Sequence, residues 1–128
     1  MLLRRSRSGQ ATVEMALVLP VLLLVLFGIV ESGRLVHAHL LLQHATREGV
    51  RLGITGATDL EIEQRVRYAA ATLDQSRLSI FITPPQGQRH RGGDLTVVLN
   101  YTFVTVYPLI PGWPAPVPIR ASLAMRMD

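Results

Sequence analysis

ATVEMALVLPVLLLVLFGIV, residues 11–30, decides how this chain is built. Every residue from Ala16 to Val30 is apolar, Gly or Pro, and Thr12 and Glu14 are the polar members of the block. As a helix, this stretch spans roughly 30 Å, the thickness of a bilayer's hydrocarbon core. A buried core helix that is apolar on every side would need a larger protein around it. The preceding residues, MLLRRSRSG at 1–9, carry Arg4, Arg5 and Arg7. Basic residues before an apolar span set topology, with the N-terminus in the cytoplasm and the chain beyond Val30 outside. A cleaved secretory signal would require a small-residue cleavage site soon after the apolar run, and only Val36-His37-Ala38 approaches one, weakly.

Composition narrows the function classes. The chain has 128 residues, enough for one small domain, and 48% of them are apolar. Because so many of these sit in the N-terminal block, the remainder must fold around a modest core. The net charge of +4 comes entirely from Arg, but no basic stripe interleaved with aromatics is present, so nucleic acid is not an expected partner. Arg65 and Arg67 each follow a Glu by four residues (Glu61, Glu63), the spacing of solvated helix pairs. There is no Cys, which removes disulfides, thiolate catalysis and Cys-based metal sites.

Glu14 is what an ordinary anchor does not explain. A carboxylate in an apolar span either sits at the headgroup boundary or has a function. Around it, Ser8-Gly9-Gln10-Ala11-Thr12-Val13-Glu14-Met15-Ala16-Leu17 resembles the prepilin cleavage motif: a basic leader ending in Gly, then Glu at the fifth mature position. Ala16 to Pro20, Phe27 to Arg34 and Ala45 to Arg51 are similar to the TadE-like family in particular. So are Tyr107 to Gly112 and Ile119 to Arg126 near the other end. Major Flp pilins are much shorter and usually carry Glu-Tyr where this chain has Glu14-Met15, so the resemblance is to minor pseudopilins of tight-adherence pili.

That resemblance implies a subunit of a Tad/Flp (type IV-like) pilus, inserted in the bacterial inner membrane with its head periplasmic or extracellular. A prepilin peptidase would cut between Gly9 and Gln10. Glu14 would act in assembly, pairing with the amine freed at Gln10. Expected partners are the inner membrane, the peptidase, and other pilin or pseudopilin subunits with their assembly machinery. The implied organisation is a leader at 1–9, a transmembrane segment at 10–33 and a pilin-like head at 34–128. Pro20 removes a helix donor and Gly28 lacks a stiffening side chain, so both are expected to make the membrane helix deformable.

Beyond the membrane, Leu35, Ala38, Leu42, Ala45, Gly49 and Leu52 form a stripe of mostly small residues. It faces either this protein's own sheet or a neighbour's helix. Gly53 and Gly56 are expected to end the helix. Thr58-Asp59-Leu60-Glu61 reads as a capping box, opening a helix with Ile62, Val66, Ala69, Ala70 and Leu73 on one face. Three alternating runs follow: Leu78 to Ile82, Leu95 to Phe103 and Ile119 to Met127. The class is α+β, with a long N-terminal helix and a head of one helix and a three-stranded antiparallel sheet. Gln86 to Gly93, with its Arg89-His90-Arg91 triplet, reads as a plain exposed hairpin loop. Pro108 to Pro118 holds five Pro with Leu109, Ile110 and Trp113, and suits either a docking surface or a lid over the sheet.

No enzyme is expected. His37, His39 and His44 lack the three or four converging ligands that zinc requires. No nucleophile elbow, phosphate loop or zinc-protease motif occurs, so neither cofactor, metal nor small-molecule substrate is expected. Two rivals stand beside the pilus reading. One is an uncleaved single-pass anchor whose head scaffolds an envelope or secretion complex. The other is a secreted protein with an ordinary signal peptide.

Overall fold

The computed structural model describes residues 7–106 and 116–128. Helix α1 runs unbroken from Arg7 to Gly53, 47 residues and about 70 Å. It stops where the sequence supplies Gly. The turn bonds Ile54 N to Val50 O (3.0 Å) and Gly56 N to Gly53 O (3.1 Å), and Gly56 adopts φ +93°. Only Gly enters that region without steric cost.

Helix α2, Asp59–Ala69, opens on the expected capping box. Thr58 Oγ1 accepts from the Glu61 amide at 3.3 Å, and the Thr58 amide donates to Glu61 Oε2 at 2.7 Å. The Thr58 amide, joined by the Thr58 hydroxyl donating to the same oxygen at 3.0 Å, holds the Glu61 carboxyl below the ordinary carboxylate range. These bonds also correct one expected pair: with Glu61 engaged at the cap, Arg65 instead crosses to Glu48 on α1 at 2.7 Å. Arg67 does pair with Glu63, at 2.9 Å.

The sheet is an antiparallel meander, β1 (Leu78–Thr83), β2 (Asp94–Phe103) and β3 (Val117–Arg126), in that spatial order. Ile80, Leu99 and Ala121 lie opposite one another, as do Ile82, Val97 and Leu123. Leu95, Val97, Leu99, Tyr101 and Phe103 are all buried, as their alternation requires. β3 begins two residues earlier than its apolar alternation indicates. Pro118 is inside it, opposite Thr102, which an edge strand tolerates because one side of its ladder is unpaired. At the far end Met125 is exposed, whereas Met127 is buried beyond the strand, bonded to Gly92 and Gly93 at 2.8 Å.

The apolar stripe on α1 faces the protein's own head. Its buried line is Ala38, Leu42, Ala45, Thr46, Gly49, Val50 and Gly53, with Leu52 only half-buried. The difference is one of period. Alternating steps of three and four average 3.5 residues, the seam of a supercoil, whereas a straight helix turns every 3.6 and drifts off that line. Gly49 and Gly53 let α1 lie close to its neighbours. A Cβ at Gly49 would meet Val66 Cγ2 at 2.6 Å, and one at Gly53 would clash with Leu95 Cδ2.

Those contacts orient the sheet. Gly53 lies against Leu95, Gly49 lies near Val97, and Arg34 lies over Phe103. β2 therefore runs antiparallel to α1, back toward the apolar half of the helix. The lengths agree: Leu95 to Phe103 covers about 27 Å as strand, and Arg34 to Gly53 about 28 Å as helix.

The loop from Gln86 to Gly93 joins β1 to β2 and is exposed at Gln86 to Gln88 and at His90 to Gly92, as expected; Arg89 is the departure. The Arg89 side chain is only 9% exposed and pairs with Asp59. It also donates to Ala57 O (3.1 Å) and Pro84 O (3.2 Å), tying the loop to the start of α2.

Candidate functional site

The first half of α1 carries the residues singled out from sequence. Its side chains from Val13 to Leu26 are exposed on all sides, and no part of its most apolar window is covered by the head. A helix apolar all round needs lipid as its solvent. Among the described residues it is the one helix long and apolar enough to cross a membrane, and it fits a single-pass anchor.

Gly9 and Gln10 lie in the opening turns of α1, and the helix passes through the bond between them. A Cβ at Gly9 would meet nothing within 4 Å, so no internal packing demands glycine there. Gln10 Nε2 donates to Glu14 Oε1 at 3.1 Å, so the carboxylate is already engaged by the residue four positions earlier. Pro20 is accommodated without interrupting the helix. It leaves the Ala16 carbonyl without its usual donor, because the proline nitrogen carries no hydrogen. Gly28 is open on its Cβ side, and its carbonyl accepts a further bond from Ser32 Oγ at 2.8 Å. Arg4 and Arg5 fall outside the described residues, as does most of the Pro-rich loop, residues 107–115 with Trp113. Arg7 is the first residue of α1.

A second group, not anticipated from sequence, marks the end of the apolar segment. Glu31 follows Val30 directly, and its side chain is only 12% exposed. It accepts from Arg34 Nη1 at 2.8 and 2.9 Å, and from the Val106 amide at 3.2 Å. The Arg34 guanidinium lies over the Phe103 ring, 5.3 Å from its centroid, in a cation–π contact. Together they fasten the end of β2 to α1 where exposed apolar helix gives way to packed helix. Glu31 and Arg34 are three apart, which the sequence shows. Their link to Val106 crosses 75 residues, which it does not.

Elsewhere the head offers structure without convergent chemistry. The groove between α1 and α2 is lined by Glu48, Arg65 and Tyr68 among others, and the hydrogen bond from Arg65 holds the Glu48 carboxyl below its ordinary range. His39 is bonded to Gln43 at 3.0 Å. No group of three or more His, Asp or Glu positioned for a metal occurs among the described residues.

A family model described as TadE-like protein matches residues 9–51, nearly the whole of α1. No curated protein and no solved structure matches the chain.

Proposed function

We propose that this chain, whose residues 9–51 match the TadE-like family model, is a membrane-anchored minor pseudopilin-type subunit of a Tad pilus, processed by a prepilin peptidase between Gly9 and Gln10. In this reading Arg4, Arg5 and Arg7 hold the leader in the cytoplasm, residues 10–33 cross the inner membrane and residues 34–128 form the outer head. The mature subunit joins other pilin or pseudopilin subunits in assembling the fibre.

The observation that carries the reading is Glu14. It is the one acidic residue in the apolar block from Ala11 to Val30, and it lies within hydrogen-bond reach of the residue that cleavage would make the first. An acid at a helix centre costs about 2.5–3.5 kcal/mol on insertion scales, and less toward an end. Cleavage supplies the compensation by creating an amine at Gln10. The partner of Glu14 is that amine, on the same chain or on a neighbour, and assembly becomes conditional on processing. An unpaired carboxylate in lipid is the alternative, so the electrostatic preference is strong.

The rival of an uncleaved anchor has one observation in its favour: α1 is helical across the 9–10 bond, and a protease acts on extended chain.

Sequencing the N-terminus of protein extracted from membranes separates the readings. Processing gives Gln10 first, and a permanent anchor keeps residues 1–9. Gly9→Leu should abolish the cut, because a side chain obstructs approach of the protease. Loss of residues 1–9 in that variant would refute the assigned site.

A further inference from the structure

Gln10 and Glu14 are exposed on α1, with the Gln10 amide nitrogen held 3.1 Å from the Glu14 carboxylate. A glutamine at the start of a chain has a reaction open to it that an internal glutamine lacks. Its free α-amine can attack its own side-chain carbonyl carbon. The Nα–Cδ bond forms and the Cδ–Nε2 bond breaks. Nε2 leaves as ammonia, taking one proton from the amine, and a five-membered lactam remains. Oxidation states do not change and no co-reactant is needed. The product has no basic nitrogen.

Resting on the cleavage proposed above, we infer that Gln10 is a modification site, closing to this lactam once it is the first residue, and that Glu14 restrains the closure. Two effects act together. The hydrogen bond from Nε2 holds the amide on the Glu14 carboxylate, and closure requires that hold to be released. The carboxylate also favours the ammonium form of the new amine, and only the neutral amine is a nucleophile. One unit of upward shift leaves about tenfold less reactive amine at a given pH.

The restraint matters because closure is irreversible under cellular conditions and deletes the cation. A closed chain keeps Glu14 in the apolar segment with no amine to pair with, an arrangement the bilayer disfavours. Glu14 thus protects the group it requires. A subunit that waits too long in the membrane without assembling loses its competence.

The test uses the full chain in detergent micelles, with residues 1–9 replaced by a site-specific protease sequence whose cutting leaves Gln10 first. Mass spectrometry follows the fraction of N-terminal peptide lacking one ammonia in the native chain, in Glu14→Ala and in Glu14→Gln. Both variants should close about tenfold faster than the native chain. Either variant closing at the native rate overturns the restraint, and absence of the ammonia-loss product in all three overturns the modification. A separate arm examines protein extracted from cells. There, an N-terminal peptide still carrying residues 1–9 overturns the cleavage, and with it the modification in cells. Equal rates in micelles overturn the restraint alone.

Discussion

Gly49→Ala asks whether the close approach of α1 to α2 holds the head together. The added methyl would lie 2.6 Å from Val66 Cγ2, with Ile62 Cγ2 at 3.5 Å and Val97 Cγ1 at 3.8 Å. Carbon atoms rest comfortably at about 3.5–4.0 Å, so the Val66 contact is short by roughly 1 Å while the others are ordinary. Val66 is fully buried and β-branched, so it has little freedom to rotate away. Either α2 backs off or strain accumulates, and overpacking of this kind costs about 1–3 kcal/mol. Replacing Gly by Ala in a helix returns about 1 kcal/mol. The net expectation is a loss of about 1 kcal/mol. In the full chain in micelles, hydrogen exchange of the slowest β2 amides should quicken about fivefold. The same substitution in a Val66→Ala background should reverse sign, because the obstructing methyl is gone and the helical preference remains. Slower exchange for Gly49→Ala in the native background, or an equal loss in both backgrounds, would refute the packing argument.

Arg89→Ala should destabilise the head by about 2 kcal/mol, read by the same exchange measurement, since it strips donors from the Ala57 and Pro84 carbonyls and the partner from Asp59. Acid should weaken the head through Glu48, Glu61 and Asp74, whose folded values are lowered by bonds from Arg65, Thr58 and Ser76 respectively. A lowered folded value means stability that is present above the ordinary carboxylate value of about 4 and is lost as pH falls through and below it, so protection relative to the intrinsic exchange rate at each pH should be flat near neutrality and fall only under acid. Pro20→Leu should insert normally and restore a donor to the Ala16 carbonyl. If helix deformability serves assembly, co-purification with pilus partners should fall in that variant, and unchanged co-purification would make Pro20 passive.

By itself the sequence determined most of what depends on near neighbours along the chain, the Glu61–Arg65 pair being the exception. The apolar block fixes the membrane helix, because an all-round apolar surface has no other solvent in so small a protein. Thr58 and Glu61 fix the start of α2, since a capping box closes within one turn. Alternation fixes which face of each strand is buried. The tertiary structure alone decided what depends on residues far apart. Arg65 turns to Glu48, 17 residues away, because its near neighbour is occupied at a cap. The Arg89 side chain turns inward to Asp59, 30 residues away, although the loop around it is solvent-exposed. Glu31 reaches the Val106 amide across 75 residues. The same holds for the small-residue stripe on α1, whose pattern shows that something must pack closely there. Only the placement of Val66 and Leu95 against Gly49 and Gly53 identifies it as the protein's own head. Period and spacing encode local geometry, whereas the choice of distant partner is made when the core closes and each long side chain takes the acceptor left available.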